Sequence, residues 1–237
     1  MREKKVRISV VVPTLNEQKY IRTVLFGLER QTFRNFEIIT VDGGSKDKTR
    51  DIARRHGKVI LNRRKGVGFA RNIGAGAAKG DILLFLDADT KPSENLLDVY
   101  RKAFMDKNLV AATGPILPLE ETTRKMRAGY KFVSIYFVRF SIFLHKPKFI
   151  GSNFAVRRSA FVKAGGFNDK LMTYEDWELS GRLKKYGKMR FIRKAAVHTS
   201  IRRVMKWGML KYSAYYVVNM FRHKFFKTAN RTYAPIR

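Results

Sequence analysis

The sequence predicts an α/β fold in which a mostly parallel β-sheet is flanked by helices. Short apolar runs alternate with helix-length segments through the first half of the chain, as in a doubly wound sheet. One of these runs, Ile82 to Leu86, is apolar at every position, as expected of a strand that is covered on both faces. It ends in Asp87-Ala88-Asp89, which places two carboxylates at the sheet edge where open α/β sheets bind ligands.

The elements that precede this strand alternate regularly. Asn16 is expected to cap the first helix, and Ser45 or Asp47 to open the second. The predicted order is strand Val6–Val12, helix Glu17–Arg30, strand Phe36–Val41, a Gly43-Gly44 turn after Asp42, a helix to His56, strand Val59–Leu61 and helix Gly66–Ala78.

The second half of the chain is more varied. Ser93 and Ser159 are expected to cap helices. The predicted order is helix Ser93–Asp106, strand Leu109–Thr113, an aromatic helical segment Thr122–Phe149, a strand from Lys148, a helix from Ser159, a helix opened by Tyr174, strand Met189–Ile192 and amphipathic helices over Met205–Lys227.

The charge of the chain is extreme and unevenly placed. Fifty Lys and Arg face nineteen Asp and Glu, which gives a formal net charge of +31. No acidic residue lies between Thr122 and Asn168, and none follows Glu178. Such tracts favour a polyanionic partner, namely a nucleic acid, an anionic membrane surface or a phosphorylated substrate. No recognition-helix or RNA-binding motif is present, so nucleic acid is the least favoured of these.

The composition also bears on location. The chain has no cysteine, which excludes disulfides and suits a reducing compartment. Its first residues lack the apolar core of a signal peptide, and no apolar run is long enough to span a bilayer. We therefore expect a cytoplasmic protein, peripheral at the inner face of the cell membrane.

The Asp87 and Asp89 pair has two interpretations. A divalent cation such as Mg²⁺ or Mn²⁺ takes one or two carboxylates together with substrate phosphates. Alternatively, the pair is a solvated strand end that caps the next element, which is the commoner fate of a short motif.

Four ordered motifs favour the first interpretation. They are Val10-Val11-Val12-Pro13-Thr14-Leu15-Asn16-Glu17, Ile38-Ile39-Thr40-Val41-Asp42-Gly43-Gly44-Ser45, Gly66-Val67-Gly68-Phe69-Ala70-Arg71-Asn72-Ile73-Gly74 and Asp87-Ala88-Asp89. In this order they resemble the opening of family 2 glycosyltransferases. The resemblance implies a GT-A (Rossmann-like) fold, a UDP- or GDP-sugar as donor, and Mg²⁺ or Mn²⁺ as cofactor.

The resemblance also implies roles for single residues. Glu17 and Asp42 would contact the nucleoside, Arg71 would lie near the donor, Asp87 would hold the ribose or sugar, and Asp89 would bind the metal. The remaining predicted donor contacts are Pro13, Thr14, Asn16, Gly43 and Ala88.

The segment Tyr174-Glu175-Asp176-Trp177 resembles the acceptor half of the same family. The resemblance makes Asp176 the catalytic base, and a carboxylate there could take the proton of an acceptor hydroxyl in an inverting transfer. Glu175, Trp177 and Asn153 are the predicted acceptor contacts. The alternative is that the two acids only stabilise a helix N-terminus, and Trp177 could simply pack.

Three residues near the end of the chain complete the candidate site. His198 resembles a position that contributes to the metal or pyrophosphate site in some relatives, although a lone His is more often structural. Arg202 and Arg203 could clamp the diphosphate or could be solvated.

The predicted organisation is a nucleotide-sugar half (1–115), an acceptor half of the same domain (116–200) and basic amphipathic helices (201–237). The aromatic segment Thr122–Phe149 is either packed core or an interfacial membrane helix. The predicted acceptor is a sugar or a lipid-linked saccharide. The rival functions are a polyprenyl-phosphate glycosyltransferase and a basic nucleic-acid- or membrane-binding protein without catalysis.

Overall fold

A seven-stranded, mostly parallel sheet forms the centre of the molecule, which confirms the predicted fold class. The computed structural model describes residues 7–208, 211, 212, 214, 215 and 218. The strand order is β3-β2-β1-β4-β8-β6-β9, and only β8 runs antiparallel to its neighbours β4 and β6. These strands are β1 Ile8–Thr14, β2 Phe36–Asp42, β3 Lys58–Leu61, β4 Ile82–Phe85, β6 Leu109–Thr113, β8 Phe154–Arg157 and β9 Lys188–Phe191.

A small second sheet lies beside the first. It has the order β5-β10-β7, with β5 Thr90–Pro92, β7 Ile116–Pro118 and β10 Val197–Thr199. β5 directly follows Asp89 and pairs with β10, which lies close to the end of the described chain. The small sheet therefore holds β10 beside the end of β4.

Helices cover both faces of the large sheet. They are α1 Ile21–Glu29, α2 Thr49–Arg54, α3 Val67–Ala77, α4 Leu96–Ala103, α5 Arg124–Lys131, α6 Val138–Phe143, α7 Arg158–Lys163, α8 Glu175–Leu183 and α9 Arg202–Trp207. A π-helical turn, Phe132–Phe137, joins α5 to α6.

The side chains of the central strands alternate between two hydrophobic cores. Val10 and Leu84 point to the core under α1 and α4, whereas Val11 and Phe85 point to the core under α3, α7 and α8. Successive residues of a strand face opposite sides, so a strand between two helical layers must be apolar at every position. This explains the unbroken apolar run at β4.

The connections place a crevice at one edge of the sheet. The chain passes from β1 to β2 and β3 on one side, and β4 pairs with the other side of β1. The carboxyl ends of β1 and β4 therefore flank a topological switch point, where ligands of open α/β sheets bind.

Three predicted helix caps are wrong. α1 begins at Ile21 after the cap position Tyr20, and Asn16 instead adopts a left-handed conformation with φ 52°. α4 is preceded by Asn95 rather than Ser93, and α7 begins at Arg158, one residue before Ser159. Asn16 fails as a cap because its side chain accepts a bond from Lys46 N in the neighbouring loop.

The structure describes only part of the C-terminal segment that the sequence predicts to be helical. α9 begins at Arg202, and residues 211, 212, 214, 215 and 218 are helical. The rest of the predicted amphipathic segment Met205–Lys227 lies outside the described residues. In the described part of the chain, no helix has both the length and the apolarity needed to cross a bilayer.

Candidate active site

Two acidic residues lie in the crevice after β4. The side chain of Asp87 is partly exposed, and its Oδ1 is 2.9 Å from Arg71 Nη2. The side chain of Asp89 is largely buried, and its Oδ1 accepts a bond from Thr199 Oγ1 of β10 at 3.3 Å. Burial, with Asp87 close by, raises the pKa of Asp89 to about 7 although Arg202 opposes the shift. The crevice therefore holds a carboxylate that favours a cationic partner.

Arg202, at the start of α9, supplies such a partner in this structure. Its guanidinium forms a two-pronged ion pair with Glu17, with Nη2–Oε1 at 2.6 Å and Nη1–Oε2 at 2.8 Å. The same Nη2 lies 3.2 Å from Asp89 Oδ2. The guanidinium also stacks over the Tyr20 ring at 4.6 Å. One cation thus connects the loop after β1 to the end of β4.

The loops after β1 and β2 are bonded to each other. Asn16 Oδ1 accepts from Lys46 N at 2.7 Å, and Asn16 N donates to Ser45 Oγ at 2.8 Å. Gly43 N donates to Thr14 O at 2.8 Å. The side-chain oxygen of Thr14 is buried and has no hydrogen-bond partner among the described residues. These contacts bring the predicted donor residues Pro13, Thr14, Asn16, Glu17 and Gly43 to one wall of the crevice.

Asp42, predicted to contact the nucleoside, lies at the base of the same wall. It is fully buried, and its Oδ2 accepts from Gly44 N and Ser45 N at 3.1 and 3.0 Å. Arg50 Nε lies 3.6 Å away. The carboxylate therefore shapes the turn after β2, and a direct contact of Asp42 with a nucleoside stays a prediction.

Arg71 connects the two predicted halves of the site. This side chain of α3 is 3% exposed, and its guanidinium binds Asp87 at 2.9 Å and Glu175 at 2.8 Å. A β-carbon at Gly151 would lie within 2.6 Å of the guanidinium, so only glycine leaves room for it there. The sequence predicted Arg71 near the donor. The structure places it below the crevice as a buried counter-ion.

Asp176 lies beside this ion-pair network at the start of α8. Its Oδ2 accepts from Gly151 N and its Oδ1 from Trp177 N, both at 2.8 Å. Burial raises the pKa of Asp176 above its usual range, although Arg71 and the two backbone donors oppose the shift. Tyr174, immediately before the pair, has a left-handed backbone with φ 69°. Non-glycine residues rarely adopt this conformation, and such outliers cluster at functional sites.

Glu175 is the more buried of the two acids. Burial and the neighbouring Asp176 raise its pKa to about 7 despite the ion pair with Arg71. Its side chain packs under α3, where a β-carbon at Gly68 would lie 3.3 Å from Glu175 Cγ. A contact with an acceptor, as the sequence predicted, is not the role that this geometry gives it.

Trp177 faces the opposite side of α8. Its ring centroid lies 5.7 Å from that of Phe137 and 4.8 Å from that of Tyr174. Lys148 Nζ lies 5.3 Å from the same ring, and burial lowers the pKa of Lys148 although the nearby Asp176 opposes the shift. An aromatic ring and a half-buried ammonium group therefore adjoin Asp176.

Three other predicted site residues make contacts within the protein. Asn153 is fully buried, and its amide bonds Tyr100 Oη and Ala195 O. Ala88 is buried in the hydrophobic core, so only its backbone could reach a ligand. Arg203 lies over the Trp207 ring at 5.9 Å. The Asn153 amide is therefore bonded to α4 and to the segment before β10, and its contact with an acceptor stays a prediction.

His198 is also placed away from Asp89. Its neighbour Thr199 directs Oγ1 at Asp89 Oδ1, and adjacent residues of a strand point to opposite faces. Burial and Lys91 lower the pKa of His198. The structure therefore gives Asp89 a threonine neighbour where the sequence predicted a histidine.

The crevice fits a divalent cation only if a substrate completes the coordination. Among the residues that the structure describes, no three His, Asp or Glu side chains gather where they could hold a metal ion. Asp87 and Asp89 nevertheless offer hard oxygen ligands, and Mg²⁺ and Mn²⁺ commonly bind through one or two carboxylates plus substrate phosphates. The contact between Arg202 and Asp89 shows that this position accommodates positive charge.

The family follows from the sequence comparison. The model of "Glycosyl transferase family 2" matches residues 9–165, which include β1, β4 and Arg71. The chain belongs to glycosyl transferase family 2. The match ends before Asp176 and Arg202, so this family model does not cover these two candidate site residues.

Curated glycosyltransferases match parts of the chain. An uncharacterized glycosyltransferase of Haemophilus influenzae is 27% identical over 192 residues, which are 72% of this chain and 60% of the relative. A dolichyl N-acetyl-alpha-D-glucosaminyl phosphate 3-beta-D-2,3-diacetamido-2,3-dideoxy-beta-D-glucuronosyltransferase of Methanococcus voltae is 30% identical over 124 residues, 46% of this chain and 39% of that protein. The chain thus spans less than two thirds of the length of these relatives.

Solved glycosyltransferase structures share the GT-A fold. The mannosyltransferase PcManGT from Pyrobaculum calidifontis, in complex with GDP-Man and Mn²⁺, superposes with a TM-score of 0.68 at 18% identity, over 90% of this chain and 65% of that one. TarS 1-349 of S. aureus in complex with UDP gives a TM-score of 0.62 at 21% identity, over 92% of this chain and 71% of that one. At these identities the likeness shows the fold alone.

Two neighbours of the site were missed from the sequence. Thr199 follows His198, and strand alternation alone would have assigned one of the two to the Asp89 side. Lys148 is one of many basic residues in an acid-free tract, so nothing in the sequence distinguishes it.

Proposed function

We propose that the crevice transfers a sugar from a nucleotide-diphosphate sugar to an acceptor hydroxyl with inversion. Two chains of contacts carry the proposal. In the first, Arg202 joins Glu17 to Asp89. In the second, Arg71 joins Asp87 to Glu175, the neighbour of Asp176. These contacts link the proposed donor wall to the proposed base, which supports assigning both to one crevice.

The donor half of the proposal rests on charge and shape. A pocket beside the loop after β1 is lined by Asn16, Gln18, Lys19, Tyr20, Asp47 and Arg202, whose polar groups could contact a nucleotide. The PcManGT and TarS structures contain GDP-Man with Mn²⁺ and UDP, respectively, which supports a GDP- or UDP-sugar as the donor class. Asp89 and Asp87 would hold Mg²⁺ or Mn²⁺, which when bound offsets the charge that builds on the leaving diphosphate.

Asp176 is the base of the proposed reaction. It takes the proton from the acceptor hydroxyl while that oxygen forms a bond to the anomeric carbon. The bond from the anomeric carbon to the diphosphate oxygen breaks, and its electron pair leaves with the nucleoside diphosphate. The raised pKa of Asp176 brings the carboxylate closer to the range where a general base works well near neutral pH. The guanidinium of Arg202 lies at the Asp89 end of the crevice, where it can carry part of the diphosphate charge.

A lipid-linked saccharide is the acceptor class that we favour. The name of the Methanococcus voltae relative describes transfer to a dolichyl-phosphate-linked sugar. The acid-free tract from Thr122 to Asn168 suits an acceptor that carries phosphate and lies at an anionic membrane, on the cytoplasmic side.

A thermal-shift panel tests the donor assignment. The chain is heated with UDP-, GDP- and dTDP-sugars, each with and without Mn²⁺. We expect a rise in melting temperature for one nucleotide, larger with Mn²⁺, because a ligand that binds only the folded state stabilises it. Unchanged melting temperatures across the whole panel would contradict the proposed donor site.

A further inference from the structure

One face of the helical segment Arg124–Phe143 is apolar and exposed. Phe132, Tyr136, Phe140 and Phe143 are 63%, 60%, 57% and 76% exposed, and their spacing places them on one side of the helix. Their rings form adjacent pairs, with centroids of Phe132 and Tyr136 6.4 Å apart and those of Phe140 and Phe143 6.5 Å apart. We call these four residues, with the exposed Val133 and Leu144, the aromatic face.

The opposite side of the same segment is packed against the protein. Ser134, Val138 and Ser141 are buried, and Ser141 Oγ donates to Val138 O and accepts from Lys148 N. Phe137 meets the Trp177 ring next to Asp176. The helix is therefore fixed to the site on one side, while its aromatic face has no covering among the residues that the structure describes. Packing in the core, the alternative that the sequence left open, does not account for this face.

Basic side chains surround the aromatic face, and acids are absent. No Asp or Glu occurs between Thr122 and Asn168. Six basic residues of the segment and its end are exposed: Arg124, Lys125, Arg127, Lys131, Arg139 and Lys146. A helix with aromatic rings on one side and Lys and Arg around them is the pattern of an element that lies in the interface plane of an anionic bilayer.

We propose that the aromatic face docks on an anionic lipid bilayer, with its rings in the headgroup region and its basic side chains on lipid phosphates. Its link to catalysis rests on the proposed function, because Phe137 and Trp177 would then hold Asp176 near the membrane surface, where a lipid-linked acceptor lies. The docking itself is independent of the transfer reaction.

Two features favour a bilayer over single-stranded nucleic acid. The aromatic face includes the aliphatic side chains Val133 and Leu144, which offer no ring for a base to stack on. The rings also lie on the outside of a helix rather than in the charged groove along which single strands are usually bound. Aliphatic and aromatic groups alike are stabilised when they move from water into the boundary between headgroups and acyl chains.

Vesicle binding by the full chain tests the proposal. Vesicles of one part phosphatidylglycerol to two parts phosphatidylcholine are compared with pure phosphatidylcholine in a co-sedimentation assay. We expect binding to the anionic vesicles. The variant Phe140→Ser/Phe143→Ser should bind them about ten-fold or more weakly, since burial of one large apolar side chain is worth roughly ten-fold in affinity. Lys131→Gln/Arg139→Gln should lose about five-fold per charge at low salt.

The matched control is Met105→Ser/Val162→Ser, which removes apolar groups that are 65% and 67% exposed but lie outside the aromatic face. It should bind vesicles like the parent chain. As a second readout, Phe143→Trp should show fluorescence quenching by brominated lipids beyond that of the parent. Equal vesicle affinity of the parent and Phe140→Ser/Phe143→Ser would overturn the proposal. So would tighter binding to a single-stranded RNA that depends on the same rings.

The donor panel is run on every one of these variants. Loss of vesicle binding with unchanged thermal shifts by nucleotide sugars would place the effect at the aromatic face and leave the donor site intact. Vesicle binding without any donor response in the parent would count against the proposed transfer reaction and not against the docking surface.

Discussion

Arg71 and Glu175 are 104 positions apart in the sequence, yet Arg71 Nη1 and Glu175 Oε1 form a buried ion pair at 2.8 Å. The other end of the guanidinium binds Asp87. Because Asp87 follows β4 and Glu175 begins α8, this one side chain sets the distance between the proposed donor wall and the proposed base.

Arg71→Met tests this connection. The substitution removes the buried ion-pair partner of Glu175 and the contact with Asp87. Breaking a buried pair in this way typically costs about 3–5 kcal/mol. We expect a decrease of that size in the free energy of unfolding, measured with urea.

The matched control is Arg64→Met, which removes a surface ion pair with Asp169 at 2.8 Å. Exposed pairs contribute about 0–1 kcal/mol, so this variant should unfold almost like the parent. Similar losses for the two variants would show that Arg71 has no special structural role.

Arg202 and Arg203 are adjacent but make different contacts, and we expect different effects on stability. Arg202→Gln removes charge-assisted bonds to Glu17 and the contact with Asp89, at a cost of about 1.5–3 kcal/mol. Arg203→Gln removes a contact with the Trp207 ring, worth about 0.5–1 kcal/mol. Urea unfolding of both variants checks the order, and an equal or larger loss for Arg203→Gln would contradict it.

Glu175 gives the stability of the fold a pH dependence of defined sign. Its pKa is raised from 4.5 to about 7 by burial and by Asp176, so the folded state binds its proton more tightly than the unfolded state. The stabilisation is complete below about pH 4.5 and is lost as the pH rises to about 7. As the pH rises between these values, the parent should lose unfolding free energy relative to Glu175→Gln, which cannot titrate at this position. A difference that stays constant with pH would show that Glu175 does not titrate in this range.

Asn153 is expected to matter for folding rather than for substrates. Its buried amide bonds Tyr100 Oη at 2.6 Å and Ala195 O at 2.9 Å. Asn153→Ala would leave both partners unsatisfied, at about 1–3 kcal/mol for each. We expect a lower melting temperature with unchanged thermal shifts by nucleotide sugars. A stable variant with weakened donor or acceptor binding would support the acceptor contact that the sequence predicted for Asn153.

The sheet could be predicted from the sequence because its determinants are local. The apolar run Ile82–Leu86 has no polar position, as is typical of a strand between two helical layers. The carboxylates that follow it lie at the crevice because the end of a parallel strand is fixed once the strand is placed.

The contacts across the crevice could not be predicted in the same way. Nothing near Arg71 in the sequence indicates that Glu175 will neutralise it, since the pair depends on how α3 and α8 pack. The predicted cap at Asn16 failed for a related reason. A capping residue can bond to a neighbouring loop instead, as Asn16 does with Lys46, and only the tertiary structure decides between the two.

The central claim is that one crevice binds a nucleotide sugar and presents Asp176 as the base. The most direct test compares the parent with Asp176→Asn in the release of nucleoside diphosphate from the donor that the thermal-shift panel identifies, in the presence of Mn²⁺ and lipid extract as the acceptor source. We expect an unchanged donor-induced thermal shift and a rate about 10²–10⁴-fold lower for Asp176→Asn, because a general base contributes that much to a proton transfer. Release at the parental rate by Asp176→Asn would contradict the account.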